Sequence, residues 1–166
     1  MPRAVCPSTR AFLVAALLLA LTSVSCSSKE IQYPEDHARV LRIDAAVESF
    51  RKAYVTKDQS ALDSLLLPAE SLDQLQRDVQ SDFDNFAEIM LEFAIERIYL
   101  DGDNIDVFVH WHGLWRTGEA DPGVRQRGHA RLEWVGVQSI LLRAVQGDLP
   151  FGMRTRQAVI EPASQK

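Results

Sequence analysis

The stretch IERIYL-DGDN-IDVFVHWHGLWR, residues 95–116, decides the fold of this chain. On both sides of the turn Asp101–Asn104, apolar residues alternate with polar ones, which is typical of strands with one buried face. An Asp-Gly pair between two such runs is a strong hairpin signal. The stretch therefore predicts a β-hairpin, with strands at about 94–100 and 105–116.

Two more strands are predicted after this hairpin, at about 127–135 and 138–146. The segment 117–126 contains Gly118, Pro122 and Gly123, so we expect a long hairpin loop there. The last residues are expected to trail or to add one edge strand. Together the four segments predict an antiparallel meander.

Before the hairpin, apolar residues recur about every 3.6 residues, as in a helix, and not every second residue, as in a strand. Ile43, Val47, Phe50 and Tyr54 recur at helical spacing and predict an amphipathic helix that runs to about Val55. A short second helix is expected over 61–67, and Pro68 would stop it. A third helix is expected after a capping box at 71–74, with apolar residues recurring up to position 90. Helices followed by a meander predict an α+β fold.

The N-terminus is typical of an export signal. Arg3 and Arg10 precede an apolar run, 11–21, that is too short to span a bilayer. Ser25-Cys26 resembles the end of a bacterial lipoprotein signal, although Ser23 stands where such signals usually have leucine. Ordinary cleavage after Ser25 is the alternative. We divide the chain into a signal peptide (1–25), a lipidated cysteine and tether (26–36), a domain (37–152) and a tail (153–166).

Cysteine usage and charge narrow the function classes. Removal of the signal would take Cys6 away and leave Cys26 as the one cysteine, so lipidation gives that thiol a role. The lipoprotein-like signal implies that the protein lies in the bacterial cell envelope, as an outer-membrane lipoprotein that faces the periplasm. The formal net charge is −5, and no basic stripe is present. We therefore expect no nucleic-acid partner, and a membrane contact only through the lipid anchor.

Strand parity assigns side chains to two faces of the predicted sheet. The apolar face takes Ile105, Val107, Val109, Trp111 and Trp115; the other face takes Asp106, Phe108, His110, His112 and Leu114. A symmetric loop after this strand predicts Trp111 opposite Leu132, His112 opposite Arg131, and His110 opposite Glu133.

The histidines on the outer face raise the question of a metal site. His110 and His112 point the same way on a strand, and with His129 they could hold a zinc ion. The alternative is a polar face with a His110–Glu133 pair, and it is favoured because Arg131 would repel a cation. We expect no metal, and no sequence motif indicates a cofactor.

The domain resembles the nuclear-transport-factor-2-like family, also called SnoaL-like. The resemblance covers residues 37–148 and lies in the pattern Phe50…Ala53-Tyr54…Lys57-Asp58…Ala61-Leu62, the long hairpin, and Gly128-His129-Ala130-Arg131-Leu132. It implies N-terminal helices packed on a curved antiparallel sheet, the cone of that family. It also implies a cavity between the helices and the inner sheet face. Members include isomerases, dehydratases, transport factors and non-catalytic binding domains, so the fold alone selects no activity.

Parity through the Asp101–Asn104 turn predicts that Glu96 points inward, near Val109, Trp111 and Trp134. A buried carboxylate there could act as acid or base, with Tyr54 supplying a hydroxyl. Alternatively, Glu96 lies in water or pairs with an arginine, and the tryptophans are plain core rather than a ligand pocket.

No coherent catalytic set is present on the predicted inner face. The function predicted first is therefore a non-catalytic ligand-binding or protein-interaction module at the cell envelope. Its partner would be a small apolar ligand, a protein, or a second copy bound through the outer face. The alternative is an isomerase- or dehydratase-like enzyme that uses a cavity carboxylate.

Overall fold

The computed structural model describes residues 34–160. Four α-helices, one short 3-10 helix and four strands are formed within that range. The helices are α1 (Pro34–Val55), α2 (Gln59–Asp63), the 3-10 helix (Glu70–Leu72), α3 (Asp73–Asn85) and α4 (Met153–Ile160). The strands are β1 (Glu88–Asp101), β2 (Asn104–Arg116), β3 (Val124–Val135) and β4 (Leu141–Gly147).

The four strands form one antiparallel sheet in the order β1-β2-β3-β4. The α+β prediction and the predicted meander are confirmed. We call the sheet surface that packs on the helices the inner face, and the opposite surface the outer face. Within residues 34–160, no helix is both long and apolar enough to cross a membrane.

Helix α1 covers the inner face with its apolar side. Ile43, Phe50 and Tyr54 are fully buried on it, and Glu35 and Asp36 stand in its first turn, where the helix dipole favours negative charge. Phe50 meets the ring of Trp134 edge-on, with centroids 5.9 Å apart. The predicted apolar face of this helix is confirmed.

The second predicted helix is wrong in its bounds, because α2 ends at Asp63 instead of continuing to position 67. Residues beyond it bond to the edge strand β4. The amide of Leu67 donates to the carbonyl of Leu142 at 2.7 Å, and the amide of Leu142 donates to the carbonyl of Leu65 at 2.8 Å. A free strand edge thus takes the backbone groups that a longer helix would have used.

The predicted capping box is also wrong. The hydroxyl of Ser71 donates to the carbonyl of Arg143 at 2.9 Å, and Leu72 precedes α3 without a side-chain cap. The far end of α3 comes earlier than predicted, since Phe86 has an extended backbone (φ −102°, ψ 134°). Strand β1 therefore begins at Glu88 rather than near position 94.

The predicted register between β2 and β3 is wrong by four residues. The observed register pairs Trp111 with Gly128, His112 with Arg127 and His110 with His129. The loop is shorter than predicted because Asp121 closes it, accepting from the amide and hydroxyl of Thr117, each at 2.7 Å, and from the amide of Gly123 at 2.9 Å. An even shift preserves the faces, so the predicted division of β2 into two faces is confirmed.

A β-bulge interrupts the pairing of β1 with β2. Ile95 lies opposite Val109 and Arg97 lies opposite Phe108, so Glu96 is the extra residue between them. Odd-numbered residues of β1 face the core before the bulge and even-numbered residues face it afterwards, so Ile95 and Ile98 both pack against the core.

The end of the chain differs from the prediction as well. Met153–Ile160 forms helix α4, not a trailing segment or an edge strand. Phe151 and Met153 are buried where this helix begins, and the Phe151 ring packs edge-on to Phe50 and Tyr54 at 5.5 and 4.9 Å. Apolar anchoring at its start therefore fixes this helix to the core.

Candidate functional site

A chain of hydrogen bonds joins three buried polar side chains beside the inner face. The indole N–H of Trp115 donates to the hydroxyl of Tyr54 at 2.9 Å, and that hydroxyl donates to Oδ2 of Asp82 at 2.7 Å. All three residues are completely inaccessible to solvent. We call Tyr54, Asp82 and Trp115 the buried triad.

Asp82 also fastens helix α4 to helix α3. Its Oδ2 accepts from the amide of Gly152 at 2.8 Å, and its Oδ1 accepts from the amide of Arg154 at 3.1 Å. These amides lie at the start of α4, where backbone donors lack partners within the helix and negative charge is favoured. The carboxylate of one helix thus caps another helix that is distant in sequence.

Burial shifts the pKa values of two members of the triad. Desolvation raises the pKa of Asp82, although the hydrogen bonds from Tyr54 and the backbone amides oppose this effect. Desolvation and the neighbouring Asp82 raise the pKa of Tyr54 well above its ordinary 10. Tyr54 therefore remains a phenol and acts as a hydrogen-bond donor. The donors that reach Asp82 come from α1 and from the start of α4, so these hydrogen bonds hold α3 to the rest of the fold.

Sequence reasoning missed Asp82. The signal was present, because Asp82 lies seven residues after Leu75 and three after Val79, on the apolar side of α3. A carboxylate at such a position must find donors inside the protein. The sequence predicts that Tyr54 lies on the inner side of α1, and the structure confirms that position.

Glu96 does not join Tyr54. The bulge at this residue turns its side chain to the outer face, where Oε1 lies 3.3 Å from Nδ1 of His129. About half of the Glu96 side chain, 48%, is exposed. The prediction that Glu96 faces inward is wrong, because Glu96 is an extra residue in β1 and the strict alternation of faces breaks there. The two proposed catalytic residues therefore lie on opposite sides of the sheet, with Tyr54 on the helix side and Glu96 on the outer face.

The three residues proposed to line a ligand pocket lie in the core. Val109, Trp111 and Trp134 are each at most 1% exposed. The indole N–H of Trp111 donates to the carbonyl of Asp148 at 2.5 Å. That of Trp134 is buried without an acceptor among the described residues.

The outer-face histidines are arranged differently from the prediction. His110 stacks on His129, with centroids 4.9 Å apart and planes inclined by 24°, so the predicted His110–Glu133 pair is wrong. His112 lies apart from them, with Nε2 3.3 Å from Oε2 of Glu92. In the part of the chain that the structure describes, no three His, Cys, Asp or Glu side chains are grouped as a metal ion would require.

The outer face also carries a cluster of arginine and aromatic side chains. The guanidinium of Arg97 lies 4.9 Å from the ring centroid of Tyr99 and 4.7 Å from that of Phe108. The two rings meet edge-on at 5.9 Å, and Arg131 approaches Phe108 from the other side at 5.9 Å. Tyr99 is 52% exposed. We call Arg97, Tyr99, Phe108 and Arg131 the outer cluster.

No protein-family model matches the sequence, and no curated protein matches it either. Solved structures do match. One is a proposed dehydratase of the NTF2-like family from Streptomyces avermitilis, with 16% identity and a TM-score of 0.58 over 67% of this chain and 96% of that one.

Two further structures have the same fold. An NTF2-like superfamily protein from Salmonella enterica has 10% identity and a TM-score of 0.59, over 69% of this chain and 94% of that one. A proposed scytalone dehydratase from Novosphingobium aromaticivorans has 11% identity and a TM-score of 0.60, over 71% and 89%. The described part of this chain is therefore a domain with the nuclear-transport-factor-2-like fold, as the sequence pattern indicates.

Proposed function

We propose that this domain is a non-catalytic protein-interaction module that binds its partner through the outer face of the sheet. The outer cluster carries this proposal. Arginine and tyrosine are enriched among the residues that dominate binding energy in protein interfaces, and here Arg97 already holds the rings of Tyr99 and Phe108 in place. Side chains ordered before binding lose less entropy when a partner arrives.

The inner side of the sheet supports the same proposal, because its polar groups are used for structure. Asp82 of the buried triad caps α4, and Glu96 lies on the other side of the sheet. An acid–base catalyst needs a titratable group within reach of a substrate. Among the described residues, the groups proposed for that role do not meet in one place.

The experiment compares two double variants in an association assay. Arg97→Ala/Tyr99→Ala removes exposed side chains from the outer cluster, and Leu41→Ala/Arg77→Ala removes an exposed apolar residue and an arginine elsewhere. Self-association is measured by sedimentation velocity, and partner binding by cross-linking in intact cells. We expect the first variant to lose association about tenfold and the second to keep it.

A strictly monomeric protein with no cross-linked partner contradicts this function. So does an association that the two double variants weaken equally. If the partner is a second copy, the loss will appear in sedimentation. If it is another protein, the loss will appear only in the cross-linked species.

The envelope location is part of the proposal and depends on Cys26, which lies outside the described residues. A lipid chain on this cysteine would hold the domain at the membrane surface. Metabolic labelling with a fatty acid should mark the wild type and not Cys26→Ser. Labelling that persists in this variant contradicts the anchor, and release of the unlabelled protein after ordinary cleavage supports the alternative processing.

A second candidate is a small-molecule enzyme or ligand-binding protein, and two observations favour it. Two structures of similar fold are named as proposed dehydratases. The indole N–H of Trp134 is buried with no acceptor among the described residues, so a polar atom of a ligand would find a donor there. Asp82, not Glu96, would be the inner carboxylate of such an enzyme.

Naphthol tests this second candidate, because it has an apolar body and one hydroxyl. Saturation transfer from the protein to naphthol, lost in Trp134→Phe, would support an inner ligand site. No transfer to naphthol, or equal transfer in both proteins, would count against it.

A further inference from the structure

Acidic and basic side chains on the outer face pair with one another along most of its length. Five acids lie within 3.3 Å of a base: Glu88 with Arg116, Glu92 with His112, Glu96 with His129, Asp106 with Arg131, and Glu133 with Arg143. Arg97 has no ion pair but lies over the rings of Tyr99 and Phe108, whereas Arg125 and Arg127 have neither kind of contact among the described residues. Within residues 34–160, neither Arg125 nor Arg127 makes an ion pair, and both side chains are exposed.

The geometry of β3 brings these two arginines together. They are separated by one residue on the strand, so both side chains project from the same face, about 6.6 Å apart. Arg127 lies opposite His112 and Arg125 opposite Leu114, which are outer-face positions of β2. A groove of about 440 Å³ is lined by His112, Gly113, Arg125, Gln126 and Arg127. We call it the arginine groove.

We propose that the arginine groove binds an extended acidic peptide segment of a partner protein. This inference rests on the proposed function, because it names the partner chemistry of the outer face. In an extended peptide every second side chain points the same way, at the spacing found between Arg125 and Arg127. A segment of the form acid-x-acid therefore places one carboxylate at each guanidinium, and this pairing can be bidentate.

Charge argues for a short acidic segment rather than a long polyanion. The chain is acidic, with a net charge of −5, and Glu92 and Glu96 lie on the same face beside the groove. A nucleic acid or an anionic membrane would meet these carboxylates as soon as it extended past the groove. A second copy of the chain is also a poor occupant, because the acids on its own outer face already pair with bases.

The experiment uses the purified full-length protein and two fluorescent peptides. In one peptide glutamate alternates with serine, and in the other the same number of glutamates is consecutive. Fluorescence anisotropy gives the dissociation constant for wild type, for Arg125→Gln/Arg127→Gln, and for the control Arg77→Gln/Arg154→Gln. The control removes the same charge from exposed positions away from the sheet.

We expect the alternating peptide to bind wild type more tightly than the consecutive one. The groove variant should weaken that binding about fivefold to tenfold, as two surface ion pairs allow, and the control should leave it unchanged. Added salt should weaken binding to the wild type more than to the groove variant.

Several results would overturn this inference. One is equal weakening by the groove variant and the control, since the peptide would then sense only net charge. Another is equal binding of the two peptides, because the spacing argument would fail. A third is binding of vesicles that contain phosphatidylglycerol, lost in the groove variant, in the absence of peptide binding.

Failure of this inference can be told apart from failure of the proposed function. If the peptide does not bind but association still depends on Arg97 and Tyr99, the groove is overturned and the outer cluster keeps its role. If the alternating peptide binds through Arg125 and Arg127 while Arg97→Ala/Tyr99→Ala changes no association, the groove is supported and the outer cluster loses its role.

Discussion

The two faces of this sheet use their polar side chains in opposite ways. On the inner side, Tyr54, Asp82 and Trp115 are fully buried and bond to one another and to the start of α4. On the outer side, ion pairs such as His112–Glu92 and His129–Glu96 stay largely exposed. Buried polar groups are costly to leave without partners, whereas exposed ion pairs contribute little to stability.

The contrast separates stability from recognition. Substitutions on the inner side should change the free energy of unfolding and have little effect on partner binding. Substitutions of exposed residues on the outer side should change binding and leave the fold intact.

The largest effect is expected for Asp82→Ala. It removes the acceptor of the Tyr54 hydroxyl and of the amides of Gly152 and Arg154, which then lie buried with fewer partners. We expect a loss of about 3 kcal/mol in the free energy of unfolding, measured by urea denaturation. Asp84→Ala, an exposed change two residues away, should cost less than about 0.5 kcal/mol. A loss below about 1 kcal/mol at Asp82 would show that the carboxylate does not hold α4.

The same substitution made on each face gives the cleanest comparison. Tyr54→Phe removes a hydroxyl that donates to Asp82 and accepts from Trp115, so it should cost about 2 kcal/mol. Tyr99→Phe removes a hydroxyl from a ring that is 52% exposed, and we expect a change within about 0.5 kcal/mol. Equal costs at the two tyrosines, in urea or in thermal unfolding, would contradict the proposed difference between the faces.

A smaller, pH-dependent effect should come from Asp82. Burial raises its pKa above 3.8, so the native state holds this proton more tightly than the unfolded chain does. The resulting stability is fully present below about pH 4 and is lost as the pH rises through the native pKa.

Asp82→Asn removes this titration. Relative to the variant, the wild type should therefore lose stability as the pH rises from about 4, when urea unfolding is followed over a pH series. A wild type that gains stability relative to Asp82→Asn as the pH rises would mean that the hydrogen bonds outweigh the burial. Asp84→Asn provides the baseline for an exposed acid on the same helix.

Sequence periodicity was enough to predict the fold. The change of apolar period after α3 predicted the order of helices and strands, and the face assignment of β2 is confirmed by the burial of Ile105, Val107 and Trp111. Helix ends were less predictable, since the 65–67 segment bonds to the edge of β4 and Ser71 bonds to Arg143 instead of capping α3. These bonds join residues that are far apart in sequence, and no local pattern encodes them.

The candidate site was less predictable than the fold. One extra residue in β1 reversed the facing of Glu96, and the sequence contains no glycine or proline there to mark the bulge. Asp82 was detectable as an acid on an apolar helix face, but its partners at the start of α4 depended on a helix that was predicted as a tail. The sites of chemistry are thus defined by long-range contacts, and the fold mainly by local patterns.

The smallest effect is expected for Glu96→Gln, and it tests the outward position of this residue directly. Its carboxylate is 48% exposed and lies 3.3 Å from His129, so an exposed pair is all that the change removes. We expect the free energy of unfolding to change by less than about 0.5 kcal/mol, because water replaces the lost contact. Glu133→Gln is the matched control, since Glu133 is only 8% exposed and pairs with Arg143 at 3.0 Å; it should cost more. An inward Glu96 would instead sit unpaired beside Val109 and Trp111, and removing its charge would then stabilise the domain and raise its midpoint of thermal unfolding.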